Sequence, residues 1–106
     1  TNLPLGWYNM RLSYQAIYPR VKQAITASDS SVSPSDINAN SVLADPPLGF
    51  TPKGKRALDG YLEREFLEER LHISEAELDK IQTVREIAQL IKMKLILLDG
   101  KRSSGG

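Results

Sequence analysis

The apolar positions of this chain recur mostly at intervals of three and four, the spacing of one face of an α-helix. After Pro19, "RVKQAI" sets Val21, Ala24 and Ile25 on one side, with Pro19 acceptable as a first helical residue. The same face extends back into "LSYQAIY" if the helix kinks at the proline. A clearer helix starts at Pro52, because Thr51 is a good N-cap and proline suits the first position. Leu58, Leu62 and Phe66 follow at steps of four, with Tyr61 and Leu67 widening the stripe. Gly54 and Gly60 each weaken this helix by about 1 kcal/mol relative to alanine, and Gly60 is a place for a neighbouring helix to come close.

Capping signals place the remaining elements. "SEAE" sets Ser74 against Glu77 and opens a very short helix through Leu78 and Ile81. "TVRE" sets Thr83 against Glu86 and opens the last helix, whose apolar face is Val84, Ile87, Ala88, Ile91 and Leu95. Between the first two helices runs "SDSSVSPSDINANSVLADPP", residues 28–47, long for a loop inside a small domain. Val32, Ile37, Val42 and Leu43 are the candidates to tie it down, and Ser33-Pro34 reads as the cap and first position of a brief turn. No strand alternation and no repeat occurs. The predicted fold is all-α, a bundle of three main helices plus one short helix, with a long loop between helices one and two. An aromatic arm (residues 1–18, with Trp7, Tyr8, Met10, Tyr14 and Tyr18) precedes a helical domain (19–94) and a tail (95–106).

Composition narrows the function classes. A chain of 106 residues holds one domain, and 41% hydrophobic with 25% charged residues is the balance of a folded protein. Net charge is +1, so nothing in bulk draws the chain to nucleic acid or membranes. The absence of cysteine removes disulfides, thiol nucleophiles and thiolate metal sites. The longest apolar run, "LILL", falls far short of the roughly 18 residues of a membrane span. A start at Thr1 reads as an excised segment, no targeting signal is visible, and the cytoplasm is the expected compartment.

The order and spacing of these elements resemble an acyl carrier protein. In that family a helix like "RVKQAI" leads through a long loop like "VSPSDINANSVL". Leu-Gly, here Leu48-Gly49, then precedes an Asp-Ser-Leu motif at the start of the second helix. That helix ends in an acidic run closing on phenylalanine, as "LEREF" does, and "HISEAELDKIQTVREIAQLI" is similar to helices three and four. The resemblance covers residues 19–93 and is most specific over "ISEAELDKIQTVREIAQLI".

The resemblance implies a carrier-type bundle, and in carriers the motif serine is esterified by 4'-phosphopantetheine. Matched without a gap, that serine falls on Pro52, Asp on Thr51 and Leu on Lys53. Proline has no side-chain oxygen. Sliding by one offers Thr51, but the family's transferases act on serine, and a hydroxyl bound into its own helix cap is a poor nucleophile. Ser41, the nearest serine upstream, belongs to the loop. No cofactor is therefore expected. The resemblance also implies an acidic start to helix two, read by basic patches on enzymes; here Lys53, Lys55 and Arg56 occupy it. Cations there oppose the helix dipole by about 0.3–1 kcal/mol each and gain nothing locally, unless they meet an anion or a partner's carboxylates.

An enzyme needs an acid, a base or a nucleophile gathered in a pocket. The single histidine, His72, sits where packing or helix C-capping is its ordinary role, and no second histidine can complete a ligand set. Glu63, Glu65, Glu68 and Glu69 alternate with arginines at helical spacing, the pattern of a solvated face with intrahelical pairs. No metal site is expected. The sequence reads as a non-catalytic docking or scaffold domain for another protein, an enzyme or larger assembly with an acidic surface. Its expected contacts are Lys53, Lys55, Arg56 and Trp7, and its core is expected to be packed shut. The competing readings are a carrier modified at an unexpected residue, a lipid-binding variant marked by a tunnel beside Pro52, and a nucleic-acid binder using the basic turn.

Overall fold

In the computed structural model, residues 13–105 are described, with side chains through Leu98; the arm before Ser13, Trp7 included, lies outside them. The described residues form an all-α bundle. Its helices are α1 (Tyr14–Ser28), α2 (Pro52–Glu65), α3 (Glu75–Asp79) and α4 (Val84–Gly105), with a single 3-10 turn at Pro34–Asp36. No strand occurs among the described residues, only one antiparallel bridge between Val42 and Thr83.

Helix α1 begins at Tyr14, five residues before the proline that periodicity offers as its start. Ser13 supplies the cap, its hydroxyl accepting from the Ala16 N–H at 3.3 Å. The earlier start adds Ile17 to the buried stripe of Val21, Ala24 and Ile25. Pro19 sits inside the helix near its N-terminus, so it removes one backbone donor without dividing the helix.

The long loop is held in two ways. Val32, Ile37, Leu43 and Leu48 are buried in the core. Leu43 N–H donates to the Gln82 carbonyl, Val84 N–H to Ser41 and Arg85 N–H to Ala39, so the loop lies along the entry to α4. Val42 is not one of the ties, being 37% exposed. Extended backbone at the Val42–Thr83 bridge turns successive side chains to opposite sides, and Leu43 takes the inner one. Gly49 then turns the chain at φ +58°, where an L side chain would be strained.

Helix α2 starts as its sequence dictates. Thr51 is the N-cap, its hydroxyl accepting from Gly54 N–H at 3.0 Å, and Pro52 is the first helical residue. Leu58 and Leu62 are buried along it, and Phe66 caps its C-terminus with no exposed surface. Leu67 does not widen the stripe. The helix has ended, and Leu67 is 71% exposed. Gly60 faces open space instead of a neighbouring helix.

Both capping boxes form. Ser74 and Glu77 exchange bonds at the start of α3, and Thr83 and Glu86 at the start of α4. Helix α4 buries Val84, Ile87, Ala88, Ile91 and Leu95, then continues through Gly105, beyond the apolar periodicity. Ile81 completes the core with these residues, α2 and the α1 pair Val21 and Ile25. Helix α2 packs on α1 and α3, and α1 packs on α4.

Candidate functional site

The first turn of α2, the loop before it and the residues after α3 surround a half-open cleft of about 230 Å³. Val42, Leu43, Phe50, Pro52 and Ile81 give it apolar walls, and Lys55 stands at its edge. The surface beside Pro52 is indented, where the sequence leads to the expectation of a core packed shut. The cleft is an open notch rather than an enclosed tunnel. Phe50, which follows the left-handed turn at Gly49, packs against the core and forms one wall of the cleft.

The basic turn is built differently from its expectation. Lys55 Nζ donates to the carbonyls of Asp79, at 3.1 Å, and Ile81, at 2.9 Å. Arg56 Nε lies 2.9 Å from Asp79 Oδ1, and this hydrogen bond, with the carboxylate's attraction, holds its proton more tightly than usual. Two of the three cations therefore clamp the start of α2 to the end of α3, where carbonyls without helical partners need donors. They do gain something locally. Lys55 bonds to neutral carbonyls at the cleft edge, whereas Arg56 faces a carboxylate. Lys53 is exposed and makes no contact of these kinds among the described residues.

No family model matches the chain, and no curated protein or solved structure matches it at a significant level. The site must be judged on its own chemistry. Every buried residue among those described is apolar, so the interior holds no acid, base or nucleophile. Thr51's hydroxyl is engaged at Gly54, and Ser41's accepts from Asn38 N–H at 3.0 Å. His72 is neither packed nor capping. Its side chain is 82% exposed, with Nδ1 3.0 Å from Glu63 Oε2, and the same oxygen accepts from Ile73 N–H. No group of acids and histidine with metal-binding geometry occurs among the described residues.

The acidic run serves the fold across helices rather than within one. Arg20 of α1 reaches Glu69 at 2.7 Å and the Glu65 carbonyl, and its guanidinium lies 4.1 Å from the centre of the Phe66 ring. One feature was missed by sequence reasoning. The cleft had no signal, because it depends on how a turn positions Phe50. The "LILL" tail, which the sequence offers as a second contact surface, is exposed in part: Met93, Ile96 and Leu97 lie on the side of α4 opposite Ile91 and Leu95, and all three are exposed.

Proposed function

We propose that this domain is a non-catalytic protein-docking module, whose contact surface is the cleft beside Pro52, with Lys55 on its rim and the exposed Lys53 following Pro52 in the first turn of α2. The observation that carries this reading is the joining of an apolar notch to Lys55, whose ammonium bonds two carbonyls and pairs with no carboxylate among the described residues. The notch is sized for one or two apolar side chains, not for a large ligand. Its fitting occupant is a protein segment with an apolar anchor flanked by carboxylates. Apolar contact would supply the affinity, while the lysines would steer encounter and select for acidic flanks.

The resemblance to carrier proteins fits a module that faces other proteins with the start of its second helix. Pro52 at the attachment position, with Thr51 held in its cap, supports a role without phosphopantetheine. The contact set differs from the sequence expectation in two respects. Arg56 belongs to the clamp on α3, and Trp7 lies outside the described residues, so Lys53 and Lys55 remain for a partner.

The test is a binding isotherm with two peptides sharing one central phenylalanine, flanked in one by glutamates and in the other by lysines. The acidic peptide should bind, weaken with added salt, and weaken severalfold on Lys53→Glu. Equal binding of both peptides, or of neither, would remove the proposal.

A further inference from the structure

The loop between α1 and α2 is rich in serine, and its serines are not equivalent. Ser28 Oγ donates to the Ile25 carbonyl at 2.8 Å, and Ser31 Oγ to Asp29 Oδ1 at 2.6 Å. Ser33 alone among them is followed by proline. It is exposed, its backbone is extended (φ −96°, ψ 155°), and Pro34 opens the 3-10 turn behind it. Its hydroxyl donates to Asp36 Oδ2 at 3.1 Å, an acceptor that polarises the O–H bond, with Ser35 Oγ 2.9 Å away. The chain's other pairing of a serine or threonine with proline is Thr51-Pro52. There the hydroxyl accepts from Gly54 N–H and caps a 14-residue helix.

We propose that Ser33 is a phosphorylation site for a proline-directed protein kinase, and that the phosphate opens the Pro34–Asp36 turn. An acceptor hydroxyl must enter the kinase cleft on an exposed, extended segment. Ser33 already has that backbone, and only a three-residue turn follows it. Thr51 would first have to leave the cap of α2. In the transfer, the bond from the γ-phosphorus of Mg-ATP to its bridging oxygen breaks as the bond from Ser33 Oγ to phosphorus forms. The kinase's catalytic aspartate takes the hydroxyl proton, and ADP leaves.

The effect follows from the charges around Ser33. Asp36 Oδ2 accepts both the Ser33 N–H, at 3.2 Å, and its O–H. Phosphorylation removes the second donor and sets about two negative charges beside that carboxylate. No lysine or arginine occurs between Lys22 and Lys53, and Asp36 forms no ion pair among the described residues. No neighbouring cation in the loop receives the phosphate, so repulsion decides the outcome. Val32 and Ile37, on either side of the turn, are buried, so the turn is a latch between two anchors of the loop. This inference does not rest on docking at the cleft.

The test incubates the folded full chain with a mitogen-activated protein kinase, a proline-directed enzyme, and Mg-ATP, beside a synthetic peptide of residues 28–41. Intact mass should rise by one phosphate at a rate within severalfold of the peptide's, and peptide mapping should place it on Ser33. Ser33→Ala should gain none. Hydrogen exchange of the Ser33, Asp36 and Ile37 amides, which bond within the turn, should quicken severalfold in the phosphorylated chain. The Leu62 and Ile87 amides should keep their protection. Asp36→Asn, phosphorylated in the same way, should show a smaller change. A folded chain that gains no phosphate would overturn the proposal, whether or not the peptide reacts. So would phosphate on Thr51 or another serine, or phosphorylation of Ser33 that leaves exchange in the turn unchanged.

Discussion

Lys55 Nζ lies 2.9 Å from the Ile81 carbonyl, joining the first turn of α2 to the segment that leads into α4. With the 3.1 Å bond to the Asp79 carbonyl it satisfies two acceptors at the end of α3, and it fixes one wall of the cleft. A lysine at a helix start, unfavourable by the dipole alone, is here part of the tertiary structure.

Lysines two positions apart should therefore behave differently. Lys55→Met should destabilise the domain by about 1–2 kcal/mol, since two carbonyls lose a charged donor at a partly exposed site. Lys53→Met should stay within about 0.5 kcal/mol of the parent, as expected for an exposed residue without such contacts. Urea unfolding of both variants checks this. Equal effects would mean the clamp contributes nothing.

The two exposed glycines should also diverge. Gly60→Ala should stabilise by about 0.5–1 kcal/mol, because the site is helical and a Cβ there meets nothing. Gly49→Ala should destabilise by about 1–2 kcal/mol, because its φ of +58° is left-handed. Thermal unfolding midpoints should move in opposite directions.

These contrasts mark how far the sequence could be read. Caps and periodicity act locally, so Thr51, Ser74 and Thr83, and the core from Val21 to Ile91, were legible from neighbouring residues. Lys55 and Arg56 were misjudged because their partners lie more than twenty positions away, across a turn that no local rule places. Arg20 on Phe66 and Glu69 was hidden for the same reason. Val42 and Leu67 look like core residues by type, but one sits on an extended bridge and the other lies beyond a helix end. Their direction is set by backbone geometry rather than hydropathy.

Acid should weaken the junction of α3 and α4. The Ser74 backbone N–H, then Lys94, hold the Glu77 carboxyl below its ordinary 4.5. A carboxyl depressed in the folded state contributes stability above its unfolded value, and that contribution is lost as pH falls through the folded one. Stability should thus decline from about pH 4.5 downward, and Glu77→Gln should make the decline shallower. Asp29, also lowered by its bonds from Ser31, keeps some dependence in the variant. Denaturant midpoints measured from pH 6 to pH 3 would show an unchanged slope if the pairing did not matter.

Incubation with a phosphopantetheinyl transferase and coenzyme A should leave the intact mass unchanged. Addition of a phosphopantetheine mass would turn the domain into a working carrier, and peptide mapping would then identify the modified residue.

The most direct measurement is an amide chemical-shift map of the labelled chain titrated with the glutamate-flanked phenylalanine peptide. Saturable shifts should centre on Val42, Phe50, Lys53, Lys55 and Ile81, and Lys53→Glu should reduce them at equal peptide concentration. Shifts centred on α4 around Met93 and Leu97, or no saturable shifts at all, would contradict docking at the cleft.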